Sequence, residues 1–504
     1  MASEIRVNKI ENRSGLGTVT FADTGVDLAG IVTATTFSGS GASLTNLPAA
    51  NVTGTLPAIS GANLTNLPAA NLTGTLPAIS GANLTGIAAT DNVRTGILDV
   101  AGVSTFRNTM NVGAAVTISE SGIEASGIGI TVANINGTQI GGRRNLIING
   151  DMTIAQRGTS STSAGYQTVD RFTTSMAGTD EACTFAQVDV ASGTTPYTEG
   201  FRKAFKVTNG NQTSGAGAAD DVSVSQNIES QDLAQSGWDF TSSSSFITLS
   251  FWVKSSVAQT FFAGIRLYGD DQREFCFSYT LTADTWTKVV KAIPGAAGLT
   301  IVNSNAIGAF IQWPQWWGTN YTSSGRSVDT WQVKNNASNY PDNTTTWYTT
   351  NDATWELTGV QLEVGSQATP FEHRSYGEEF QLCQRYYTQY GGHSGGSLGR
   401  FPVVGECPTT STAQYVIQFP TPMRGGGDVT LTTNGSVSDY QVYQANASRP
   451  STGIALADTM EYPQGDVFGC RVNLQRSNAD LVAGYACQAY NSVSGSILGF
   501  SREL

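Results

Sequence analysis

Two histidines, adjacent acidic residues and a loose cluster of tryptophans are the residues of this 504-residue sequence that could do chemistry. Hydrolysis of a polysaccharide needs two carboxylates flanking one glycosidic bond, about 5 to 10 Å apart. Asp270 with Asp271 and Glu378 with Glu379 are adjacent. Neighbours on a strand or helix point apart, so neither pair makes a dyad by itself. A pair distant in sequence stays open. A Ser-His-Asp arrangement would have to use His373 or His393. His373 lies in "PFEHRSY", where its flanks suggest a structural role, and His393 sits in a Gly-rich loop. With two histidines and no ligand spacing, no metal site is expected, and neither is a cofactor. The expectation is a protein that is not an enzyme.

Binding fits the aromatic residues better. Sugars are held by flat apolar faces stacked on Trp or Tyr, with a few amides and carboxylates reading the hydroxyls. Trp252, Trp286 and Trp355 fall within predicted strands ("LSFWVKSS", "TWTKVV", "TWELTGV") and are assigned to the core. In "QWPQWWGTNYTSSGRSVDTWQVKNN", Trp313, Trp316, Trp317, Tyr321 and Trp331 keep company with Pro, Gly, Ser and Asn. That composition reads as surface loop, so these five are the glycan-contact candidates. Packing against the core or between subunits is the competing role. Tyr440, Tyr443 and Tyr490 near the C-terminus share that ambiguity.

The elements that would position these residues are strands. "FITLSFWVKSS" (246–256), "TFFAGIRLYG" (260–269), "EFCFSYTL" (274–281), "TWTKVVKAI" (285–293) and "AIGAFIQW" (306–313) are short, apolar and separated by turn residues. Such a series implies a β-sandwich or jelly roll, placed at 143–374. One helix is predicted at "GEEFQLCQRYYTQY", within a connector at 375–392. Phe380, Cys383, Tyr387 and Tyr390 would share one face, with Glu378 and Glu379 in the first turn. A second β region follows at 393–504. The expected fold is mostly β.

The N-terminal third differs. "SGASLTNLPAANVTGTLPAI" at 40–59 returns almost unchanged at 60–79, and Leu-Pro recurs at 47–48, 56–57, 67–68 and 76–77. Frequent proline forbids a continuous helix and interrupts a sheet ladder. One copy holds too few leucines to offset its ordering entropy, so the segment 40–90 must order by winding with identical chains, or else stay a linker. The Asn-x-Thr triplets at Asn51, Asn63, Asn71 and Asn83 read as turns, because the N-terminus carries no secretory signal. Residues 91–142 alternate short β-branched runs (Ile97–Val100, Val116–Ile118, Ile128–Val132) with Gly, Ser and Asn, as a β-rich neck would.

Composition narrows the partners. Charged residues are 13% of the chain, about half the usual share of roughly 25%. The net charge of −12 argues against nucleic acid, whose phosphates would repel it. No run approaches the roughly 18 apolar residues of a membrane helix, so no membrane insertion is expected. The six scattered cysteines (Cys183, Cys276, Cys383, Cys407, Cys470, Cys487) read as buried thiols, with a bridge among the last three left open. Assembly in a cytoplasm is expected.

Three stretches carry a resemblance. "RRNLIINGDMTIAQRGTS…VDRF" (143–172) resembles the opening of a jelly-roll module of bacteriophage tail-fibre and related virion proteins. "LTGVQLEVGSQATPFEHRSYGEEFQLCQRYY" (357–387) resembles that module's closing strand and following helix. "ASEIRVNKIENRSGLGTVTFADTGVDLAGIVTATTFSG" (2–39) is similar to the start of fibre proteins from marine cyanobacterial phages. The resemblance implies an elongated trimeric virion fibre with a repetitive shaft and a C-terminal β tip. Its partners would be two identical chains, another tail or virion protein at the N-terminus, and host-surface glycan or protein. Residues 1–39 would form the attachment segment, through Ile5, Val7, Ile10 and Phe21. Host adhesion without catalysis is the expected function. A purely architectural neck or head fibre and a polysaccharide-degrading fibre are the alternatives.

Overall fold

The computed structural model describes residues 144–391, most of 399–504, and parts of 8–45 and 110–125. The chain divides into two units, Met1–Arg107 and Asn108–Leu504. In the first, β1 (Lys9–Glu11), β2 (Thr18–Ala22) and β3 (Gly25–Leu28) form an antiparallel meander. Ile10 stands opposite Val19, and Phe21 opposite Val26. Ile5, Val7, His393, the Leu-Pro repeats and the four Asn-x-Thr triplets lie outside the described residues. In the second unit, β4 (Met110–Val112), β5 (Val116–Ser119) and β6 (Gly122–Ala125) form another small meander.

The larger part of the second unit is a sandwich. Its strands are β7 (Ser160–Ser161), β8 (Phe172–Ala177), β9 (Thr184–Asp189), β10 (Lys203–Thr208), β11 (Asp221–Glu229) and β12 (Phe246–Ser255), continued by β13 (Gln259–Leu267), β14 (Arg273–Leu281), β15 (Thr287–Pro294), β16 (Ile307–Trp317), β17 (Trp331–Val333) and β18 (Thr354–Val364). They make two six-stranded sheets, in the orders β15-β12-β18-β10-β9-β7 and β17-β14-β13-β16-β11-β8. Side chains alternate across each strand. On β13, Phe261, Ala263, Ile265 and Leu267 enter the core, as Ala309, Ile311 and Trp313 do on β16. Phe262 and Arg266 therefore face out, with Phe310 and Gln312 beside them. Phe251 and Trp313 meet edge to face at 5.7 Å across the core.

Trp355 is fully buried between the sheets. The other two tryptophans expected there take a different place. Phe251 and Val253 occupy the inward positions of β12, so Trp252 points to the opposite face of its sheet. There it packs with Val190, Phe201 and Ala204 and donates its indole N–H to Glu199 at 3.0 Å. Trp286 precedes β15 and is half-buried against the same cluster.

The opening and closing stretches of this module are fastened to each other. The Asn145 side chain donates to the Val360 carbonyl and accepts from the amides of Ile147 and Leu362, which covers β18. Glu372 accepts the amides of Arg144 and Asn145, and Arg374 donates to the carbonyls of Asn145 and Ile147. Gly150 lies against the Val360 carbonyl so closely that a Cβ would stand 2.1 Å from its oxygen. His373 is structural: it packs on Phe201 and Phe371, with Nε2 2.9 Å from the Glu199 carbonyl oxygen. These contacts give the polar residues of "RRNLIINGD" and "PFEHRSY" a packing role.

Besides the three short helices α1 (Thr195–Thr198), α2 (Ser230–Ala234) and α3 (Thr346–Thr349), α4 spans Tyr376–Gln384. A capping box starts it: Ser375 accepts the Glu378 amide, and Glu378 accepts the Ser375 amide. Glu378 is thereby spent on the cap, and Glu379 turns inward to Arg374. The helix stops earlier than the spacing of Phe380, Cys383, Tyr387 and Tyr390 predicts. Tyr387 and Tyr390 belong instead to β19 (Tyr387–Gly391). The aromatic, β-branched run "YYTQY" pairs as a strand with the chain's last strand, and that tertiary pairing overrides helical spacing.

The C-terminal β region continues with β20 (Gly399–Glu406), β21 (Thr412–Gln418), β22 (Thr430–Thr433), β23 (Tyr440–Gln444), β24 (Ile454–Leu456), β25 (Thr459–Gly465), β26 (Gly469–Gln475), β27 (Ala486–Asn491) and β28 (Ile497–Ser501). These form sheets β19-β28-β22 and β24-β23-β27-β20-β21-β26-β25. Phe401, Tyr415, Tyr440, Val472 and Phe500 fill the core of this region. All six cysteines are buried and free, so the possible bridge among the last three is not formed.

One buried acid makes the module sensitive to pH. Asp170 is buried and held by the Gln156 amide at 2.8 Å and by its side-chain nitrogen. Burial pushes its carboxyl up to about 6, against an ordinary 3.8. The unfolded chain releases this proton near pH 4, whereas the folded chain holds it to pH 6. Stability from this group is thus full below pH 4 and is lost as pH rises through 6, by about 3 kcal/mol. Denaturant titration of wild type against Asp170→Asn between pH 4 and 7 should show that difference. Parallel pH curves would refute the assignment.

Candidate functional site

A cleft of about 500 Å³ opens on the outer face of the β17-β14-β13-β16-β11-β8 sheet. Its floor is β16, which presents Phe310 and Gln312. Arg266 on β13 stands opposite Phe310, and Asp221 on β11 stands opposite Trp317. The two charged residues therefore lie towards opposite ends. Ser175 on β8 joins Asp221, and the loops after β16 and β17 bring Tyr321, Asn336 and Asn339 to the rim.

A β-bulge decides which tryptophan enters this cleft. Register along β16 runs Trp313 opposite Val224 and Pro314 opposite Ser223, then skips to Trp316 opposite Val222. Gln315 is the extra residue. Strict alternation would send Trp317 inward with Trp313. The bulge reverses the phase, putting Trp316 in the core, stacked on Tyr348 at 5.3 Å, and Trp317 on the outer face. Proline beside a bulge is expected, because it has no N–H for the ladder.

Trp317 packs edge to face on Tyr340 at 5.3 Å and against Tyr321 at 5.9 Å. Gly264, beneath this group, has no room for a Cβ, which would stand 2.9 Å from both the Phe275 carbonyl oxygen and the Tyr340 hydroxyl. Gln312 is 95% buried at the cleft floor (5% exposed), donates to Ser223 at 3.2 Å, and leaves its carbonyl oxygen without a partner among the described residues. Asp221 accepts from Ser175 at 2.5 Å. Burial raises its carboxyl above the ordinary value against that hydrogen bond, and the neighbouring Asp220 adds to the rise. Glu274, behind Arg266, is engaged on both oxygens: Arg266 at 2.6 Å and Arg326 at 2.9 Å.

The five glycan-contact candidates thus separate. Trp317 and Tyr321 line the cleft. Trp313 is fully buried in the core and Trp316 nearly so, since the strand expected over 306–313 runs on to Trp317, through residues read as loop. Neither can present a ring to a ligand. Trp331 lies on β17, packs on Phe275 at 5.5 Å and donates to the Pro294 carbonyl at 2.7 Å, so it closes the sandwich edge. Tyr440 is core, while Tyr443 is partly exposed beside Tyr490. Asp221, Arg266, Phe310 and Gln312 escaped the sequence reading. Their signal is the alternation itself: a polar or ring side chain between core residues, as in "AFIQW".

No family model matches the chain, and no curated protein matches it. Several solved structures are similar to it. One is the enzymatically active domain of tailspike protein 4 of bacteriophage CBA120, at 14% identity, TM-score 0.23, covering 44% of this chain and 21% of that one. This chain thus matches about a fifth of that tailspike domain's length. Another is the family 11 carbohydrate-binding module of Clostridium thermocellum with a β-1,3-1,4-mixed-linked tetrasaccharide, at 10% identity, TM-score 0.21, covering 43% and 98%. A third is the N-terminal cellulose-binding domain of Cellulomonas fimi β-1,4-glucanase C, at 14% identity, TM-score 0.20, covering 43% and 99%.

Proposed function

We propose that this chain is a virion fibre protein of a phage, and that it adheres to host-surface glycan through the cleft over β16 without catalysis. The observation that carries the binding reading is the cleft's composition. Trp317, Tyr321 and Phe310 supply apolar faces, while Gln312, Asn336, Asn339 and Asp221 supply groups that read hydroxyls. The carbonyl oxygen of Gln312, without a partner among the described residues, is an acceptor that a sugar hydroxyl can meet, and buried acceptors normally have a donor. Supporting the non-catalytic reading, Asp221 is the one carboxylate among the cleft-lining residues, and Glu274 behind Arg266 is engaged by two guanidiniums. The virion setting, three-chain assembly and N-terminal attachment rest on the sequence resemblance and on the repeat's need for neighbours. Three weak sites on one shaft would then gain avidity through effective concentration.

The test is binding of the purified full chain to a glycan array and to host cells. Tyr321→Ala and Trp317→Ala should each weaken binding about 30-fold, the equivalent of ~2 kcal/mol at a buried aromatic anchor. Loss in Tyr321→Ala, whose side chain is only half-buried, separates a contact from a folding defect. Undiminished binding by both variants would remove the cleft from the function.

A further inference from the structure

We propose that the cleft selects a glycan bearing carboxylates, a uronic-acid polymer, over neutral glycan; this rests on the glycan-binding reading above. The chain carries a net charge of −12, yet one end of the cleft is cationic. Arg266 lines it, with Arg326 and Lys334 close behind. The carboxylate that engages this group is Glu274, shared between the two guanidiniums. Three positive charges against Glu274 leave a surplus of two at this end, and Asp221 at the far end lowers it to one over the cleft as a whole. Arg266 and Arg326 are largely buried, and desolvated charge of that kind is costly unless an anion meets it.

Other features point the same way. Besides its short contact with Glu274 and a position 5.4 Å over the Phe310 ring, Arg266 reaches the Tyr268 hydroxyl at 3.5 Å and the Asn339 carbonyl oxygen at 3.4 Å, long bonds that a better acceptor would displace. The Nε of Arg326 is buried and has no partner among the described residues. Lys334 donates to Asn336, a cleft-lining residue, and its ammonium is held below its ordinary value by burial and by the charge of Arg266. A guanidinium fork matches a planar carboxylate in two parallel hydrogen bonds, so carboxylate is favoured over a diffuse polyanion. Asp221 stands at the other end, where Ser175 occupies one of its oxygens, and it can accept from sugar hydroxyls without opposing the acid.

The experiment is calorimetric titration of the full chain with polygalacturonate and alginate oligomers, their carboxyl-reduced counterparts, mixed-linked glucan oligomers and dextran sulfate. The acidic oligomers should bind about tenfold tighter than their reduced forms at low salt, and the advantage should shrink as salt rises. Lys334→Gln should cut the advantage severalfold, and Arg266→Gln, checked for folding by its denaturation curve, should abolish it. Reduced and acidic forms binding equally would overturn the carboxylate inference and leave glycan binding intact. Dextran sulfate competing as well as the uronates would overturn it too, since bulk charge would then suffice. Binding to no glycan of either kind would sink both readings.

Discussion

Replacing Arg171 with methionine is expected to destabilise the second unit by about 3 to 5 kcal/mol. Arg171 is almost fully buried where the sandwich meets the C-terminal region. It pairs with Glu503, donates to the Asn227 carbonyl at 2.7 Å, and lies 3.4 Å over the Tyr386 ring centroid. Arg157 pairs with the other Glu503 oxygen at 3.1 Å, and Arg424 donates to the carbonyls of Arg502 and Glu503. Nearby, Glu229 is engaged by Arg385 at 2.7 Å and by the Tyr386 hydroxyl at 2.5 Å. Burial alone would raise Glu229; those hydrogen bonds hold it below its ordinary value. Removing Arg171 leaves the buried Glu503 carboxylate with Arg157 as its remaining guanidinium partner and takes a donor from the Asn227 carbonyl, and that loss of charge pairing in a desolvated place accounts for the magnitude. The double variant Arg171→Met with Glu503→Gln should recover part of the loss, because the buried carboxylate is then gone, and only part because Arg157 loses its partner. Chemical denaturation of both forms decides it: if the single variant loses less than about 1 kcal/mol, as an exposed pair would, the junction does not depend on this ion pair.

This junction also marks a limit of sequence reading. The strands of the sandwich are legible in sequence because period-two alternation of large apolar residues is local. "TFFAGIRL" and "EFCFSYTL" announce their inward faces without knowing their partners. Arg171 and Glu503 are separated by most of two folded regions, and nothing local marks either as buried. The cleft is hidden for the same reason. Asp221, Arg266 and Gln312 come from β11, β13 and β16, which become neighbours only through non-sequential strand order. Even within one strand the phase is decided from outside. Gln315 is extruded because β11 runs past it in that register, and only then do Trp316 and Trp317 exchange faces. The aromatic cluster was therefore recognisable as a site signal, while the division of its members between core and cleft was not. Helix α4 shows the converse, since its cap is written in "SYGE" but its end is set by β28.

Trp313→Ala should cost about 3 to 5 kcal/mol of stability, the usual price of emptying a large buried aromatic site. The ring is 0% exposed and is enclosed by Phe251 and by Phe172, whose centroid lies 6.3 Å away. β16 is a central strand, so neighbouring strands hold the backbone and limit collapse into the space. Trp313→Phe should be far milder. The indole N–H has no acceptor among the described residues, so phenylalanine removes an unsatisfied donor along with part of the ring volume. Ligand affinity gives the second readout. Below the unfolding transition, Trp313→Phe should bind glycan as wild type does, whereas Tyr321→Ala should bind weakly yet melt almost normally. That crossed pattern separates a ring that builds the sheet from one that meets the ligand. If instead Trp313→Phe lost affinity while keeping its stability, Trp313 would have to reach the ligand, and the phase reversal at Gln315 would be wrong.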